Sequence, residues 1–442
     1  MISSLRPLVI RSLLAVFCLS AAIGTPEISA QQLPSSELLS RYGLEMGWWG
    51  YAVINSQRDK IRNISFTEEM VFMQSAGGYI TAFDAETGKR MWVSKPGLFD
   101  AATFAVTANR ELAVVVSGLK IFALDLRSGH QLWELDSPQF PSTAVALDED
   151  RLYFGTLYGT VFAYDLYKVK ELFEAGKLPQ FTESAEVWRY RTSQEITTTP
   201  LIQKDLVIFA SRNGSVFCVD GKSRKLHYRF ETDSAITAPL TTDGKQLFVA
   251  SQDYNNYSID PRNGTVNWHY VSGFPINQAP IPVGDQLFIT PRGGGLTSID
   301  AKTGVRNWDS NLANADHFLG VSKTRIFAGD FLQNLLILDR TTGRLEGKIP
   351  MKMCNVWPGN PRTDRIFVAN EAGLIIMLRE RSQEFPIYHI APEERPLLPE
   401  FATEGGSDSA PVPAPNNPLR KPEEAPKDEP KKPVVIPFPS AF

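Results

Sequence analysis

The chain has 442 residues, of which 43% are apolar and 21% are charged, a composition that fits a soluble protein with a large buried core. Its 45 basic and 49 acidic side chains nearly balance, which argues against nucleic-acid binding because that function requires clustered positive charge. The three cysteines exclude a disulfide-rich scaffold and a Cys-rich metal site. The five histidines are scattered singly, without the spacing of a metal-binding pair.

The first 30 residues have the pattern of a secretory signal peptide. A basic start is followed by an apolar stretch from Leu13 to Ile23, and small residues precede a cleavage point after Ala30. The apolar stretch is shorter than the roughly 20 residues that a membrane-spanning helix requires. Phe17 is too bulky for the position before a lipid-modified Cys18. We therefore predict an exported protein, periplasmic or associated with the cell envelope, without a membrane span, in which residues 31–60 form a lead segment.

The composition changes abruptly at the other end of the chain. Residues 391–442 contain 13 of the 31 prolines, together with short runs of charged residues and glycine. Such a segment buries too little apolar surface to offset the entropy of ordering it, so we predict a disordered tail. Its last nine residues, 434–442, are again mainly apolar. They are either a docking peptide on a flexible tether or a tail end that carries no function.

The region between these two ends is a repeat. An aspartate that follows an apolar run recurs at intervals of about 40 residues, except for one interval of 55 that contains an insertion at 166–187. The repeated positions are Asp84, Asp125, Asp165, Asp220, Asp260, Asp300, Asp339 and, in the last unit, Arg379. A fixed period of this length indicates a repeat architecture.

Each unit contains the sequence signals of four short strands. Val-, Ile- and Phe-rich runs are bounded by Gly, Asn and Asp, and no long helical periodicity interrupts them. The aspartate begins a turn that ends at a glycine, and an aromatic residue follows shortly after. The clearest examples are Asp84, Gly88 and Trp92; Asp125, Gly129 and Trp133; Asp260, Gly264 and Trp268; and Asp300, Gly304 and Trp308. We expect these residues to have structural roles.

Four strands in about 40 residues are typical of a propeller blade. The sequence therefore predicts an all-β protein, an eight-bladed β-propeller of four-stranded repeats that extends from residue 61 to residue 390. We expect all eight units to be complete within that range. The large aromatic side chain at the end of each unit fills the wedge between neighbouring blades.

The repeat pattern resembles that of a known family. Residues 78–92 follow the pattern Gly-x-x-x-Ala-x-Asp-x-x-Thr-Gly-x-x-x-Trp, which is similar to the repeat of the PQQ-type propellers. The resemblance covers about residues 61–390. The Gly-His and Trp-Asp pairs that mark WD40 propellers do not recur from unit to unit. The PQQ-type family includes quinoprotein alcohol dehydrogenases, which are enzymes, and BamB-type outer-membrane assembly lipoproteins, which are not.

The resemblance implies a different function in each branch of the family. Quinoprotein dehydrogenases hold PQQ against a disulfide between adjacent cysteines and beside a calcium ion, whereas Cys218 and Cys354 are far apart in this chain. The sequence is thus closer to the BamB-type branch. We expect no cofactor, metal site or catalytic residue, and a monomeric scaffold that binds an envelope protein and no nucleic acid. A PQQ-dependent oxidoreductase and a sensor of small ligands are the alternatives.

Whether these two cysteines can form a disulfide depends on the blades in which they lie. Cys218 belongs to the fourth unit and Cys354 to the start of the eighth, and these units lie on opposite sides of an eight-membered ring. A disulfide requires Cα atoms about 4.4–6.8 Å apart. We therefore predict two free, buried thiols.

Two segments depart from the repeat and are candidates for partner docking. In the insertion, Val169, Leu172 and Phe173 share one face of a predicted helix, which is either a docking element or a local cap over the propeller. In the lead segment, Trp48 and Trp49 belong to an aromatic-rich stretch. That stretch is a binding hot spot if it is exposed, and a packing element if it lies against the first blade.

Overall fold

The computed structural model of the chain describes residues 33–389, except for 56, 98–100, 102 and 310–313. The predicted signal peptide and the predicted disordered tail both lie outside the described residues.

The described residues form eight antiparallel sheets, the blades of an eight-bladed β-propeller, which confirms the predicted fold. Helix α1 (Ser36–Arg41) and strand β1 (Leu44–Tyr51) come before the first repeat. Blade 1 contains β2 (Ile61–Phe66), β3 (Met70–Ser75), β4 (Ile80–Asp84) and β5 (Arg90–Ser94); blade 2 contains β6 (Thr107–Ala108), β7 (Leu112–Ser117), β8 (Lys120–Asp125) and β9 (Gln131–Asp136). Blade 3 contains β10 (Ala146–Leu147), β11 (Arg151–Gly155), β12 (Thr160–Asp165) and β13 (Glu186–Arg191), with helix α2 (Leu166–Glu174) and a 3-10 helix (Thr182–Ala185) between the last two strands.

The remaining blades repeat this order. Blade 4 contains β14 (Leu201–Gln203), β15 (Leu206–Ala210), β16 (Ser215–Asp220) and β17 (Leu226–Glu231); blade 5 contains β18 (Thr241–Thr242), β19 (Leu247–Ala250), β20 (Asn255–Ile259) and β21 (Val266–Val271). Blade 6 contains β22 (Ile281–Val283), β23 (Gln286–Ile289) and β24 (Thr297–Asp300); blade 7 contains β25 (Ala315–Val321), β26 (Arg325–Asp330), β27 (Asn334–Asp339) and β28 (Leu345–Pro350). Blade 8 contains β29 (Ile366–Ala369), β30 (Leu374–Glu380) and β1. In blades 6 and 8 a single bridge, Ile299 to Arg306 and Val356 to Ala369, replaces the fourth strand.

Burial differs between the strands of a blade for a simple reason. The second and third strands of each blade are covered on both sides by the neighbouring blades, so β3 is buried along its whole length. The outer strand faces solvent, and in β5 the buried residue is Trp92. The core is therefore a series of apolar clusters between adjacent blades.

The structure differs from the prediction at the start and end of the ring. The predicted boundary at residue 61 and the completeness of the eighth unit are wrong, because β1 from the lead segment is the outer strand of blade 8. It pairs antiparallel with β30, from Leu44 opposite Glu380 to Tyr51 opposite Leu374. The last repeat contains no outer strand of its own, and the N-terminal segment supplies it. Hydrogen bonds between the two ends of the chain thus close the ring.

The aromatic residues join each blade to the next in the same way at five junctions. The indole N–H donates to the main-chain carbonyl of the residue after the repeat aspartate, or its equivalent, in the next blade. These bonds run from Trp48 to Ala85 (2.9 Å), Trp92 to Leu126 (2.8 Å), Trp188 to Gly221 (2.8 Å), Trp268 to Ala301 (3.0 Å) and Trp308 to Arg340 (3.1 Å). We call this contact the indole–turn contact. Trp48 therefore makes in β1 the same contact that the repeat tryptophans make elsewhere.

At four of the five junctions this contact depends on the glycine of the turn; opposite Trp188, Arg224 takes the position with a φ of 62°. Gly88 has a φ of 69°, which favours glycine, and a Cβ atom there would lie 2.4 Å from the Trp48 ring. A Cβ atom at Gly129, Gly304 or Gly343 would likewise lie 2.4–2.7 Å from the rings of Trp92, Trp268 and Trp308. The ring of one blade thus lies directly on the backbone of the next.

The aspartate of the turn has a structural partner as well. The Asp84 carboxylate accepts a hydrogen bond from the Thr87 N–H (2.8 Å) and another from the Thr87 hydroxyl (2.7 Å). In the equivalent turn, the Ser128 hydroxyl and N–H donate to Asp125 and hold the pKa of that carboxyl below its ordinary value. These carboxylates serve to fold the turn.

Both cysteines outside the signal segment are free and buried, as predicted. Burial raises the pKa of the Cys218 thiol and of the Cys354 thiol to about 12 each, so neither is a ready nucleophile. Cys218 lies at the junction where Tyr228 replaces the usual tryptophan. Its S–H donates to the Pro261 carbonyl at 3.6 Å, the acceptor that an indole uses elsewhere.

A buried ion pair also joins the last blade to the first. Arg365 is 1% exposed, and its guanidinium donates to both carboxylate oxygens of Glu86 at 2.9–3.0 Å. Beside it, Asp364 accepts a hydrogen bond from the Ile387 N–H (2.9 Å). Burial raises the pKa of Asp364 to about 6.

Closure of the ring through β1 gives a first prediction. We expect Trp48→Ala to lower the free energy of unfolding by about 3–5 kcal/mol, because it empties the junction between blades 8 and 1. The matched control is Trp49→Ala on the same strand, where the side chain is 48% exposed and the loss is below about 1 kcal/mol. Chemical denaturation followed by circular dichroism measures both variants. Equal losses would contradict the role of Trp48 in closure.

The second prediction concerns Asp364. Its folded pKa lies above the ordinary 3.8, so the folded protein retains a proton that the unfolded chain releases. The stability that this bound proton contributes is fully present below pH 3.8, the ordinary pKa, and it is lost as the pH rises through about 6, the folded pKa. Asp364→Asn keeps the acceptor for Ile387 and removes the charge. We expect its stability gain over wild type to be about 1–2 kcal/mol larger at about pH 7.5 than at about pH 4.5. A gain of the same size at both pH values in thermal unfolding would contradict this assignment.

Candidate functional site

The insertion forms the short helix that the sequence predicts. Helix α2 begins directly after the repeat aspartate of blade 3, and the Asp165 side chain caps it by accepting a hydrogen bond from the Lys168 N–H (2.9 Å). The helix ends before Gly176, whose φ of 65° favours glycine. In place of the usual tight turn, blade 3 thus carries a helix.

The apolar face of α2 is turned toward the propeller. Val169 is fully buried and Leu172 is 5% exposed, and both belong to an apolar cluster with Trp133 and Phe154. The docking role considered for Val169 and Leu172 is therefore wrong, because these side chains anchor the helix to its own blades. Phe173 is 43% exposed and remains available to a partner.

A cavity of about 470 Å³ lies between α2 and blades 2 and 3. Apolar side chains and charged side chains both line it. The apolar residues are Leu112, Leu132, Trp133, Leu166, Tyr167 and Phe173; the polar and charged residues are Asn109, Glu111, Glu149, Asp150, Lys170 and Glu174. We call this space the α2 cavity.

Trp133 lines the α2 cavity in a junction that differs from the others. The residue after the repeat aspartate of blade 3 is Leu166, and it is the first residue of α2 instead of part of a glycine turn. Trp133 is 6% exposed, and its indole N–H makes no hydrogen bond to the residues that the structure describes; it is not among the fully buried polar atoms that lack a partner, so it is accessible from the cavity. Its ring lines the α2 cavity.

The two tryptophans of the lead segment have different surroundings. Trp48 is 7% exposed and stacks on Phe83, with ring centroids 5.9 Å apart, so the hot-spot interpretation is wrong for Trp48. Trp49 points the other way along β1, is 48% exposed, and meets Tyr51 edge-on at 5.9 Å. Only Trp49 is open to a partner.

One end of the propeller displays apolar side chains. Because consecutive strands of a blade are antiparallel, the loops from second to third strand and the connections between blades lie at the same end. We call this end the loop face. It carries most of the exposed large apolar side chains that lie in loops: Leu119, Phe140, Leu157, Tyr158, Tyr254, Phe274, Phe331 and Leu332. Tyr158 is 62% exposed and Phe331 is 68% exposed.

Main-chain hydrogen bonds hold the loops of this face in place. The Leu157 N–H donates to the Phe140 carbonyl (3.0 Å), and the Ser137 N–H donates to the Leu119 carbonyl (2.7 Å). On the other side of the ring, the Ser272 N–H donates to the Tyr254 carbonyl (2.8 Å). The exposed apolar side chains therefore stand on ordered backbone.

The opposite end, which carries the aspartate turns, has a different character. Outside the insertion its turns consist mainly of Asp, Lys, Arg, Thr and Ser, and ion pairs such as Lys222 to Asp205 (3.5 Å) and Lys302 to Asp285 (2.9 Å) lie there. The exposed large apolar residues in or next to these turns are Val305, Phe385 and the first residues of three outer strands, Leu226, Val266 and Leu345. We call this end the turn face. The two ends of the propeller thus differ clearly in polarity.

A second, polar cavity of about 380 Å³ lies on the loop face between blades 6, 7 and 8. Arg292, Asp316 and His317 line it, together with the rings of Phe331 and Trp357. Burial lowers the pKa of His317, which favours its neutral form. Among the described residues no group of three or more His, Cys, Asp or Glu side chains is arranged to hold a metal ion. Within the same range, no helix is long and apolar enough to cross a bilayer.

Sequence reasoning missed the loop face. The sequence did contain a signal for this surface. Loops normally carry polar residues, but the loop between Thr156 and Gly159 and the loop between Asp330 and Gln333 each contain two large apolar residues. Each pair alone is unremarkable, since single exposed apolar residues are common. Only the strand topology brings them to one end.

Comparison with known proteins gives one matching family model and several solved structures of similar fold. A protein-family model described as outer membrane protein assembly factor BamB matches residues 52–168 and 174–350. The crystal structure of BamB from Moraxella catarrhalis superimposes with a TM-score of 0.59 and 16% identity, covering 77% of this chain and 98% of that one. The crystal structure of the computationally designed protein Ika8 gives a TM-score of 0.57 and 15% identity, covering 72% of this chain and 96% of the other. No curated protein sequence matches significantly.

The incomplete junction at Trp133 gives a third prediction. Trp92→Phe removes an indole N–H and leaves the Leu126 carbonyl without its donor, so we expect it to cost about 1–2 kcal/mol of unfolding free energy. Trp133→Phe removes an indole N–H that makes no hydrogen bond to the described residues. Both substitutions also remove part of a buried ring, so we expect the loss for Trp133→Phe to be about 1 kcal/mol smaller than that for Trp92→Phe. Parallel denaturant titrations compare the two. An equal or larger loss for Trp133→Phe would show that its N–H has an acceptor in the folded protein.

Proposed function

The chain belongs to the propeller family described as outer membrane protein assembly factor BamB, and from this premise we propose that it is a non-catalytic scaffold that binds other proteins in the cell envelope. We further propose that it is exported and acts as a monomer. The family description names outer membrane protein assembly, and a role of that kind is the proposal for this chain.

The loop face is the observation that carries this proposal. Protein-binding surfaces are enriched in exposed aromatic and aliphatic anchors held on a rigid frame. Phe140, Leu157 and Tyr158 provide such anchors on neighbouring loops of blades 2 and 3, and Phe331 and Leu332 provide them on blade 7. Exposed apolar residues concentrated on one end of a soluble protein favour an interaction site at that end.

Several features support a function without catalysis. The recurrent aspartates, which are the most numerous acidic candidates, are engaged by the hydroxyl and N–H groups of their own turns. The two cysteines lie in blades 4 and 8, whereas a quinoprotein disulfide of the adjacent-cysteine type requires neighbours in sequence. The exposed surface that stands out is apolar, which suits association better than chemistry.

The alternative in which the protein is a PQQ-dependent oxidoreductase can be tested directly. Purified protein is incubated with PQQ and calcium, then separated from free cofactor. Bound-quinone absorbance together with dye reduction in the presence of an alcohol would support the enzyme. We expect neither. A sensor of small polar ligands would use the cavity at Arg292 and His317, and ligand binding there without a protein partner would favour that alternative.

The scaffold proposal predicts where a partner binds. A photo-reactive phenylalanine analogue is placed at Tyr158 or Phe331 on the loop face and, as a control, at Lys222 on the turn face. In native cells we expect a discrete crosslinked product from the two loop-face positions and none from Lys222, and we expect the protein to fractionate with the envelope. Crosslinking from the turn face alone, or a cytosolic location, would contradict the proposal.

Substitutions on the loop face provide the quantitative form of this prediction. Phe140→Ser combined with Tyr158→Ser removes two exposed anchors, and we expect binding of the crosslinked partner to weaken by about tenfold to a hundredfold. Phe140 and Tyr158 are more than half exposed, so the melting temperature should change little. The matched control is Val187→Ser on the outside of β13, which we expect to leave binding unchanged.

A further inference from the structure

The α2 cavity has features of a second binding site, on the turn face and separate from the loop face. We propose that it binds an extended peptide segment of another protein, in which a small apolar stretch is flanked by lysine or arginine. The argument uses the junction at Trp133, the apolar floor of the cavity and the charge of its rim.

The junction between blades 2 and 3 lacks a backbone segment that the comparable junctions have. At the junctions of Trp92, Trp268 and Trp308 a glycine turn lies on the indole ring, and a carbonyl of that turn accepts the indole N–H. At Trp133 the insertion has replaced the turn with α2, and a cavity remains beside the ring. The indole N–H of Trp133, a residue that is 6% exposed, thereby has no acceptor among the described residues and is accessible from the cavity. An extended peptide supplies the missing carbonyl, and a glycine in it fits closely over the ring.

The floor of the cavity suits small apolar side chains. Leu112 and Leu132 are partly buried and Leu166 is buried, and all three line the space around Trp133. The floor does not depend on the mobility of α2, because the Leu166 N–H donates to the Asp150 carbonyl (2.8 Å) and the helix is anchored by its buried face. The cavity is therefore preformed, which limits the entropy lost on binding.

The rim determines the charge of the occupant. Four carboxylates, from Glu111, Glu149, Asp150 and Glu174, line the cavity against the single cation of Lys170. Arg110 lies 3.6 Å from Glu149, and both side chains are largely exposed, so this pair neutralises the rim only weakly. A surplus of negative charge favours basic flanking residues and disfavours a phosphate-bearing ligand such as a nucleic acid or an anionic lipid headgroup.

The test uses fluorine NMR of the full-length protein carrying 5-fluorotryptophan at its eight tryptophans. The resonance that disappears in Trp133→Phe is assigned to Trp133, and that of Trp92 is assigned in the same way. The probes are two synthetic peptides with a central Leu-Gly-Leu or Phe-Gly-Phe flanked by paired lysines, and their counterparts with glutamates in place of the lysines. We expect a lysine peptide to shift the Trp133 resonance and to leave that of Trp92 in place.

Variants of the rim test how much its negative charge, as distinct from the shape of the cavity, contributes to the affinity for the peptide. In calorimetric titrations we expect the double variant Glu149→Gln, Asp150→Asn to bind the lysine peptide about fivefold more weakly. The matched control is Asp205→Asn, Asp285→Asn, which removes two exposed carboxylates of the turn face away from the cavity and leaves the affinity unchanged. We expect higher salt to weaken binding to wild type more than to the rim variant.

Three results would overturn the proposal. The first is that neither lysine peptide shifts the Trp133 resonance at about 1 mM, a concentration equal to the weakest dissociation constant that a docking site of this kind would have. The second is that the glutamate peptides shift it equally. The third is that the control variant loses as much affinity as the rim variant. None of them bears on the loop face, since its substitutions and its partner are tested separately. The melting temperature of each variant is measured as well, and binding is compared only between variants that melt at the wild-type temperature. This control separates a folding defect from a loss of binding.

Discussion

The contact between an indole of one blade and a glycine turn of the next is the interaction on which the ring depends. It combines an apolar surface with one hydrogen bond, and it places the ring of Trp92 or Trp308 directly on peptide backbone. The repeat aspartate is required because its carboxylate folds the turn. At Gly88, Gly129, Gly304 and Gly343 the glycine leaves free the place that the ring occupies, whereas Arg224 takes this position opposite Trp188 with a φ of 62°. Two residue types in the turn and one in the outer strand therefore explain most of the repeat signature. Where one of them changes, a neighbour compensates: Cys218 donates to the carbonyl that no indole reaches, and Tyr42 covers Gly347 where blade 7 lacks its aromatic residue.

The insertion shows what happens when the turn itself is lost. Blade 3 replaces it with α2, and the helix covers Trp133 from one side through Val169 and Leu172 while the α2 cavity remains on the other. The structural requirement of the junction is thus met only in part, since apolar burial is restored and the hydrogen bond is not. The junction at Trp133 keeps its tryptophan ring and the N–H donor, although no backbone carbonyl among the described residues accepts from it. At the junctions that have the indole–turn contact, a backbone segment of the next blade fits the ring and accepts the N–H. A peptide has such a backbone, and this is the physical reason why it is a suitable occupant.

The fold was predictable from the sequence because the repeat acts through local rules. The turn residues, the strand composition and the period each depend on neighbours within a few positions, so eight blades could be counted from Asp84 to Arg379. The closing strand was not predictable in this way, because β1 has no repeat aspartate before it and its partner β30 lies at the other end of the chain. The candidate sites were harder still. Val169, Leu172 and Phe173 have the same spacing whether a helix turns its apolar side inward or outward, and only the packing against Trp133 settles which. The loop face required eight side chains from six loops to be placed at one end, which a linear pattern does not record.

Closure by the N-terminal strand also constrains the order in which the ring can form. The Arg379 side chain bonds to Glu45 across 334 positions of sequence, and β1 can pair with β30 only when both ends of the propeller are available. Each of the other blades is built from strands close in sequence and can form locally, at low entropic cost. We therefore expect the junction of blades 8 and 1 to form last, because it has the longest loop to close. It is also the junction with the most varied bonding, since the Trp48 indole, the β1–β30 ladder and the Arg365–Glu86 ion pair all act there. Strong contacts at the final step compensate for the entropy of that closure, and this explains why the lead segment, which carries no repeat signature, retains one tryptophan in the position of the repeat.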